Sequence, residues 1–549
     1  MKIKYIIYQL ITLLFLSSCN DFLDTQPDNR VEWSTPTQIS QLLVSAYSDG
    51  NYALLGELSS DNFIDNNSPN DMGAYYNLAS RNRMDDEIYA WEDVVSDNEQ
   101  DSPSHVWSGC YYAIAVTNNA LKAIEKFEEE GKGDEVSAQK GEALLCRAYH
   151  HFILVNLFAK VYKNEALSKD DPGVPYVTEP ETRVLVHYER LSVSDVYDRI
   201  EQDLLEGIDL IVDNVYDVPK YHFNKKAAHA FAARFYLFKR EYDKVIKYAN
   251  IALGSNPSLR NWNKEMPTYE SIAHFWIDAE SLNNFLLLPT GSWFSRVFGK
   301  RYGCNREAAD ATIFGTGPTW GDYNFHPCYS GRLYIREKQE YGLFFPKCGE
   351  FFEYTDKVAQ IGLGHIVRAE FTAEETLLCR AEANVYLGND SLAVADLITY
   401  DNSRKITQND TINPIIPSRT LTDALIRSFY TESRPLFVQK FNTEKISPDF
   451  IVTNEQKPLL DCVLHFRRLE TIFDGMRWFD IKRYGIEITH KIGTSRIETL
   501  TWDDPRRALQ IPQEVIQAGM DPNNRTLDLP ATGVEQLKIP LVRLNSETE

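Results

Sequence analysis

Apolar residues recur three and four positions apart in four separated stretches of this chain, the spacing that lines one face of an α-helix. Between Gly141 and Phe158 the stripe is Leu145, Ala148, Phe152 and Val155, with a small residue where a neighbouring helix must come close. Leu191 to Val212 is a second amphipathic helix, opened by Ser192 or Ser194 as an N-cap ahead of Asp195. Lys225 to Leu253 reads as a helical hairpin. Ala228, Ala232 and Phe235 line its first arm, Lys239-Arg240-Glu241 turns the chain, and Tyr242, Val245, Ala249 and Ala252 line the second arm. Glu374 to Ile398 repeats the design with Leu378, Ala381 and Val385, a turn at Leu387-Gly388-Asn389-Asp390, and a second arm from Ala393. Arms of about 12 to 14 residues joined by short polar turns, with small and large residues alternating at the contacts, have the spacing of tetratricopeptide pairs. The fold class expected is mostly α, with about four such helical pairs.

Elsewhere the pattern weakens. Helical spacing runs from Thr37 to about Tyr47, the Asp-, Asn- and Ser-rich stretch from Ser59 to Pro103 reads as long loops, and helices resume at Trp107. Residues 254–369 hold Trp262, Trp276, Trp293 and Trp320 with several Gly and Pro and little sustained periodicity. This is a large irregular insertion of loops and short strands. Loops of that length inside a folded body usually carry function, so the site is expected there.

The first residues say where the protein resides. Lys2 and Lys4 precede an apolar run from Tyr5 that ends on Leu16-Ser17-Ser18-Cys19, too short to span a bilayer and shaped as a secretory signal closing on a lipobox. Cys19 is the expected lipidation site and first mature residue; several acyl chains hold a protein on a membrane far better than one. The expected division is a signal peptide over 1–18, a lipidated leader over 19–36, and a single body over 37–549. Within that body the helical scaffold covers about 37–253 and 370–549, and the insertion about 254–369. A net charge of -22 argues against nucleic acid as a partner. No CxxC or Cys/His cluster has zinc spacing. Cys146 and Cys379 fall in apolar helical runs and should act as small hydrophobes, while Cys304, Cys328 and Cys348 leave room for one disulfide.

The C-terminal third carries a recognisable signature. The run from His465 to Gly485, HFRRLETIFDGMRWFDIKRYG, resembles the "ERRxELxxEGxRWFDLKRWG" segment of the SusD/RagB family of outer-membrane nutrient-uptake lipoproteins. Arg507-Ala508-Leu509-Gln510-Ile511-Pro512-Gln513-Glu514 is similar to that family's "RALPIPQxE". The helix from Gly141 to Phe152 resembles "GEALFLRAFYHF", and Leu378 to Ala383 resembles "LIRAEA". Phe466, Thr471 and Asp474 depart from the signature, and extra sequence lies between Ser418 and Leu464. Arg467, Glu470, Asp474, Arg477, Asp480 and Lys482 stand at helical spacing, so ion pairs three and four apart are expected along one helix that buries Trp478 and Phe479.

Nothing in the chain has the form of a known catalytic motif: GxSxG, HExxH and the P-loop are absent. Gly315 to Gly321 is glycine-rich, but Pro318 and the lack of a following amphipathic helix make it a loop apex. His150-His151 should place one ring in a helix contact and the other in solvent, and Asp61 to Asn67 offers oxygens without the spacing of a calcium loop. Recognition by surface rings remains, since a flat ring covers the C–H face of a sugar while Asp, Asn and Arg bond its hydroxyls. By resemblance, the ligand face draws on Arg81, Arg83, Trp91, Trp276, Trp293, Trp320, Asp322 and Tyr323. The resemblance further implies a non-enzymatic, surface-exposed lipoprotein of the outer membrane. It would need no cofactor or metal and would pass a glycan to a SusC-like TonB-dependent transporter. A peptide ligand and, further off, a surface glycoside hydrolase are the alternatives.

Overall fold

A computed structural model describes residues 33–70, 73, 75–95, 99–181, 187–262, 269–309, 312–313, 317–319, 336–337, 342–405, 419–431 and 439–526. Its main elements run in the order α1 (Pro36–Leu43), α2 (Ala53–Ser59), α3 (Arg83–Tyr89), α4 (Pro103–Glu129), α5 (Ser137–Phe158), α6 (Val193–Leu210), α7 (Lys225–Lys239), α8 (Tyr242–Leu253) and α9 (Tyr269–Trp276). Three strands follow, β1 (Asn284–Gly291), β2 (Phe351–Asp356) and β3 (Ile361–Thr372), then α10 (Ala373–Tyr386), α11 (Asp390–Ser403), α12 (Lys457–Glu470) and α13 (Met476–Tyr484). A hairpin of β4 (Ile488–Ile492) and β5 (Arg496–Leu500) follows, and a short helix over Gln513–Gln517 comes last.

Polar caps fix where helices start. Ser192, not Ser194, accepts the Asp195 N–H to open α6; Asn224 opens α7 and Thr372 opens α10 in the same way. The expected turns are present: Arg240 sits in the left-handed region between α7 and α8, and Gly388 between α10 and α11. Sequential helices pack as pairs, α4 with α5, α7 with α8, and α10 with α11, while α6 lies on α5 and α10 on both α8 and α12. The architecture is the tetratricopeptide-like array expected from the periodicity. The small residues mark the close crossings. A Cβ on Gly141 of α5 would fall 3.0 Å from the Gly207 carbonyl oxygen of α6, and one on Gly207 would fall 2.9 Å from that of Gly141.

Burial goes beyond the stripes. Every residue of α5 from Gly141 to Phe158 is buried, because neighbouring elements enclose it. Both His150 and His151 are therefore inside, correcting the expectation that one faces solvent. Their Nδ1 atoms meet the carbonyls of Cys146 and Arg147, their Nε2 atoms accept the backbone N–H groups of Ser48 and Val177, and burial pushes their pKa values down to about 4 and about 3. Cys146, Cys348 and Cys379 are free and buried, and Cys304 is buried; Cys328 lies outside the described residues.

Three expectations need amending. The insertion is not merely irregular, since it contains α9 and an antiparallel sheet of order β1-β3-β2 whose central strand is 12 residues long. The stretch from Ser59 to Pro103 likewise contains α3. The signature is not one helix: Phe473 (φ 66°) and Gly475 (φ 75°) break it into α12 and α13. Its charges pair mainly between elements, and the one described i,i+3 pair within it is Arg483 with Asp480.

Candidate functional site

β3 is the element that positions the site. Its C-terminal Thr372 caps α10, which bolts the sheet to the helical array, while its N-terminal half runs out with β2 as a two-stranded hairpin turning at 357–360. At the base of that hairpin, the segments carrying Arg81 and Trp293 meet around Asp101. Asp101 has φ 67°, a conformation Asp tolerates better than most residues, and its side chain is fully buried. Its Oδ1 accepts the Ser292 hydroxyl at 2.6 Å, its Oδ2 accepts the Trp293 backbone N–H at 2.7 Å, and Arg81 Nη1 lies 3.8 Å away. Burial pushes the Asp101 pKa up to about 6 against the pull of those hydrogen bonds and the Arg81 charge.

Trp293 is half-buried, with its indole against β3. A Cβ on Gly364 would fall 2.7 Å from the ring's Cζ3 and 3.1 Å from Oε1 of Glu350, so only glycine fits beneath them. The Arg296 guanidinium lies 3.5 Å from the ring centroid and forks onto Glu350 through Nε (3.0 Å) and Nη2 (2.7 Å). Ser295 also donates to Glu350 at 2.7 Å; these partners outweigh partial burial and hold the Glu350 carboxyl below its usual value. A half-exposed ring bordered by a paired guanidinium and carboxylate can cover an apolar ligand face and bond hydroxyls beside it.

Two further rings share this side of the sheet. Phe352 is the cross-strand partner of Gly364 and Tyr354 that of Gly362. Directly paired residues point to the same face. The two rings are 40% and 45% exposed and meet edge to face with centroids 5.0 Å apart. Neither was singled out by the sequence, although Phe-Glu-Tyr facing Gly-Leu-Gly across a turn is the readable signal of an aromatic face.

The other expected site residues divide. Arg81 is a strut, forked onto Asp85 at 3.2 and 2.9 Å and 9% exposed, whereas Arg83 reaches solvent with Glu87 beside it. Trp276 and Trp91 are not surface platforms. Trp276 is 2% exposed, between Arg260 (4.3 Å) and Lys347 (4.7 Å). Trp91 is 3% exposed, stacked on His490 at 4.0 Å, with its indole N–H donated to the Ser59 carbonyl. Its edge does reach a cleft of about 570 Å³ walled by Val95, Pro103, His105, Pro512 and Arg525. Trp320, Asp322, Tyr323 and Cys19 lie outside the described residues.

The acidic run near Asp61 is committed elsewhere. Asp61 pairs with Arg477 and Arg468, and despite burial these charges hold its carboxyl well below the usual range; Asp65 pairs with Arg301. Among the described residues no three His, Cys, Asp or Glu side chains are placed to hold a metal ion.

Comparison with known proteins gives three findings. The family model for SusD-like proteins, described as starch-binding and associating with the outer membrane, matches residues 21–237. No curated protein sequence matches the chain. Among solved structures, a SusD superfamily protein from Bacteroides thetaiotaomicron superposes with a TM-score of 0.60 at 19% identity, covering 89% of this chain and 100% of that one. A SusD superfamily protein from Bacteroides fragilis gives 0.60 at 18%, covering 89% and 99%, and a putative sugar binding protein from Bacteroides vulgatus gives 0.60 at 18%, covering 90% and 99%. At these identities the likeness to solved structures is one of fold.

Proposed function

We propose that the chain, whose residues 21–237 match the SusD-like family model, is a SusD/RagB-type protein that captures a glycan outside the cell and delivers it to a SusC-like TonB-dependent transporter of the outer membrane. The observation that carries the glycan reading is the surround of Trp293: a half-buried ring with Arg296 and Glu350 fixed at its border. The family description of starch binding and the sugar-binding name of one fold neighbour point the same way. Acylated Cys19 is the tether in this reading, with residues 19–36 as leader, and the helical array offers the broad surface on which a transporter can dock. Among the described residues no helix is long and apolar enough to cross a membrane. No bond is broken in this reading, because Glu350 is spent on Arg296 and Ser295 and Asp101 is sealed beneath Trp293.

Calorimetry of the purified protein against panels of oligosaccharides and peptides, with the mixtures then chromatographed for products, tests the proposal. The expected result is oligosaccharide binding without products, weakened tenfold or more by Trp293→Ala, as loss of an aromatic contact of about 1.4 kcal/mol would give. Binding of peptides instead, or release of shorter sugars, overturns it.

A further inference from the structure

We infer that the aromatic face of the β2–β3 hairpin continues the Trp293 site as a second sugar subsite, and that the two together take an uncharged glycan of at least three pyranose units laid along the strands. This rests on the glycan reading above.

The sidedness of the hairpin carries the first step. One face presents Phe352 and Tyr354 opposite Gly364 and Gly362, so half of that face is bare backbone beside exposed rings. The other face presents Ile361 and Leu363, 61% and 54% exposed and aliphatic, and further in the half-buried, stacked rings of Phe351 and His365. Exposed aromatic rings flanked by a strip without side chains give a flat ligand both a π surface and room to lie on it; the opposite face keeps its rings half-buried and has side chains where the strip would be. The strip is continuous with the first site, since it starts at Gly364, where the Trp293 ring ends. From Gly364 to Gly362 the strand advances about 6 to 7 Å, close to the length of one further sugar ring with its linkage.

Charge carries the second step. The cation at the rings, Arg296, is already forked onto Glu350, and the turn adds Asp356 and Lys357, one of each sign. An anionic sugar would set a carboxylate against Glu350 beside an Arg296 already committed to it, on a protein of net charge -22. Hydroxyls, by contrast, can bond to the outer edges of a paired guanidinium and carboxylate without breaking the pair.

Calorimetry on the full chain, with neutral oligosaccharides of two to six units and matched uronate-bearing ones, decides it. Wild-type affinity should rise tenfold or more between the disaccharide and the tetrasaccharide, and uronate ligands should bind at least tenfold more weakly than neutral ones. The double variant Phe352→Ala/Tyr354→Ala should abolish the gain with length while leaving the disaccharide within threefold. Gly362→Val, which fills the strip and keeps the rings, should do the same, and Leu363→Ser on the opposite face should change nothing. A length gain that survives both aromatic-face variants, or that Leu363→Ser removes equally, overturns the subsite while the Trp293 site stands. Uronates that bind as tightly as neutral sugars overturn the charge assignment. If no oligosaccharide binds the wild type, or Trp293→Ala leaves every affinity unchanged, the glycan reading itself falls and this inference with it.

Discussion

Between the last helical pairs, Arg467 reaches Asp480 at 3.2 Å and Glu375 at 3.4 Å, Glu375 also meets Arg234 at 3.3 Å, and Arg483 forks onto Glu382 at 2.8 and 3.1 Å and meets Asp480 at 2.7 Å. At the base of the β-hairpin, Arg296 forks onto Glu350 over the ring of Trp293. The ingredients are the same and the environments opposite. Every ion of the first group is nearly or wholly inside, and each has two or more counter-charges drawn from different elements. The second is a single pair at the edge of solvent, with the Arg296 side chain 47% exposed. A buried network fixes how α7, α10, α12 and α13 sit together, because removing any member strands the others without water; an exposed pair can be traded for ligand hydroxyls at little cost.

The sharpest way to break this comparison is to remove one arginine from each region. Arg467→Met leaves Glu375, Asp480 and Glu382 facing one another in the interior, and should lower unfolding free energy by about 3 to 5 kcal/mol in urea titrations. The fraction that remains folded should keep its ligand affinity. An equal loss of affinity at full stability would show that the seam, not the hairpin base, is the functional region.

Asp101 lies where the two regimes touch, being wholly buried yet holding the ligand-site backbone. Its folded pKa of about 6 stands above the value near 3.9 of an unfolded Asp, so the folded state holds the extra proton between those limits. Its contribution to stability is therefore full below about pH 4 and is lost as pH rises to about 6, by about 3 kcal/mol. The ionised form is the one that accepts from both Ser292 and Trp293, since a protonated carboxyl must turn one oxygen into a donor. Comparing wild type with Asp101→Asn, the stability difference should move in favour of the variant by about 2 to 3 kcal/mol between pH 4 and pH 7. Wild-type ligand affinity should fall below pH 6 while that of the variant stays flat. A flat wild-type profile would show that Asp101 does not set the position of Trp293.

What could be read from the chain follows this division. The hairpins were legible because α7 with α8 and α10 with α11 repeat small and large residues at helical spacing, and because Arg240 and Gly388 sit where turns are short. The signature's charges were legible as residues but not as partners. Spacing along a helix does not reveal that Phe473 and Gly475 break it, nor that Arg467 reaches across to Glu375. Short strands were expected in the insertion but not a 12-residue strand at the centre of a sheet, because β3, Ile-Gly-Leu-Gly-His-Ile-Val-Arg-Ala-Glu-Phe-Thr, is exposed at its start and enclosed at its end and so shows no constant alternation. Trp276 and Trp293 look alike in sequence, both in aromatic, weakly periodic surroundings. Only tertiary packing puts the first between Arg260 and Lys347 and leaves the second at the edge of solvent.

The smallest expected effect is also the most discriminating. Arg296→Met keeps an apolar stem beside the Trp293 ring and removes the charge, leaving Glu350 with Ser295 and access to water. Because both partners of the pair are partly exposed, thermal unfolding should report a change of less than about 1 kcal/mol, against the several lost from Arg467→Met. Affinity should nevertheless fall by about threefold to tenfold, the worth of one or two hydrogen bonds from guanidinium to hydroxyl. Glu350→Gln, which keeps the shape and an acceptor, should lose less. The pair of measurements separates a guanidinium that bonds ligand from one that only props the ring: in the second case Arg296→Met and Glu350→Gln would lower stability together and leave binding untouched.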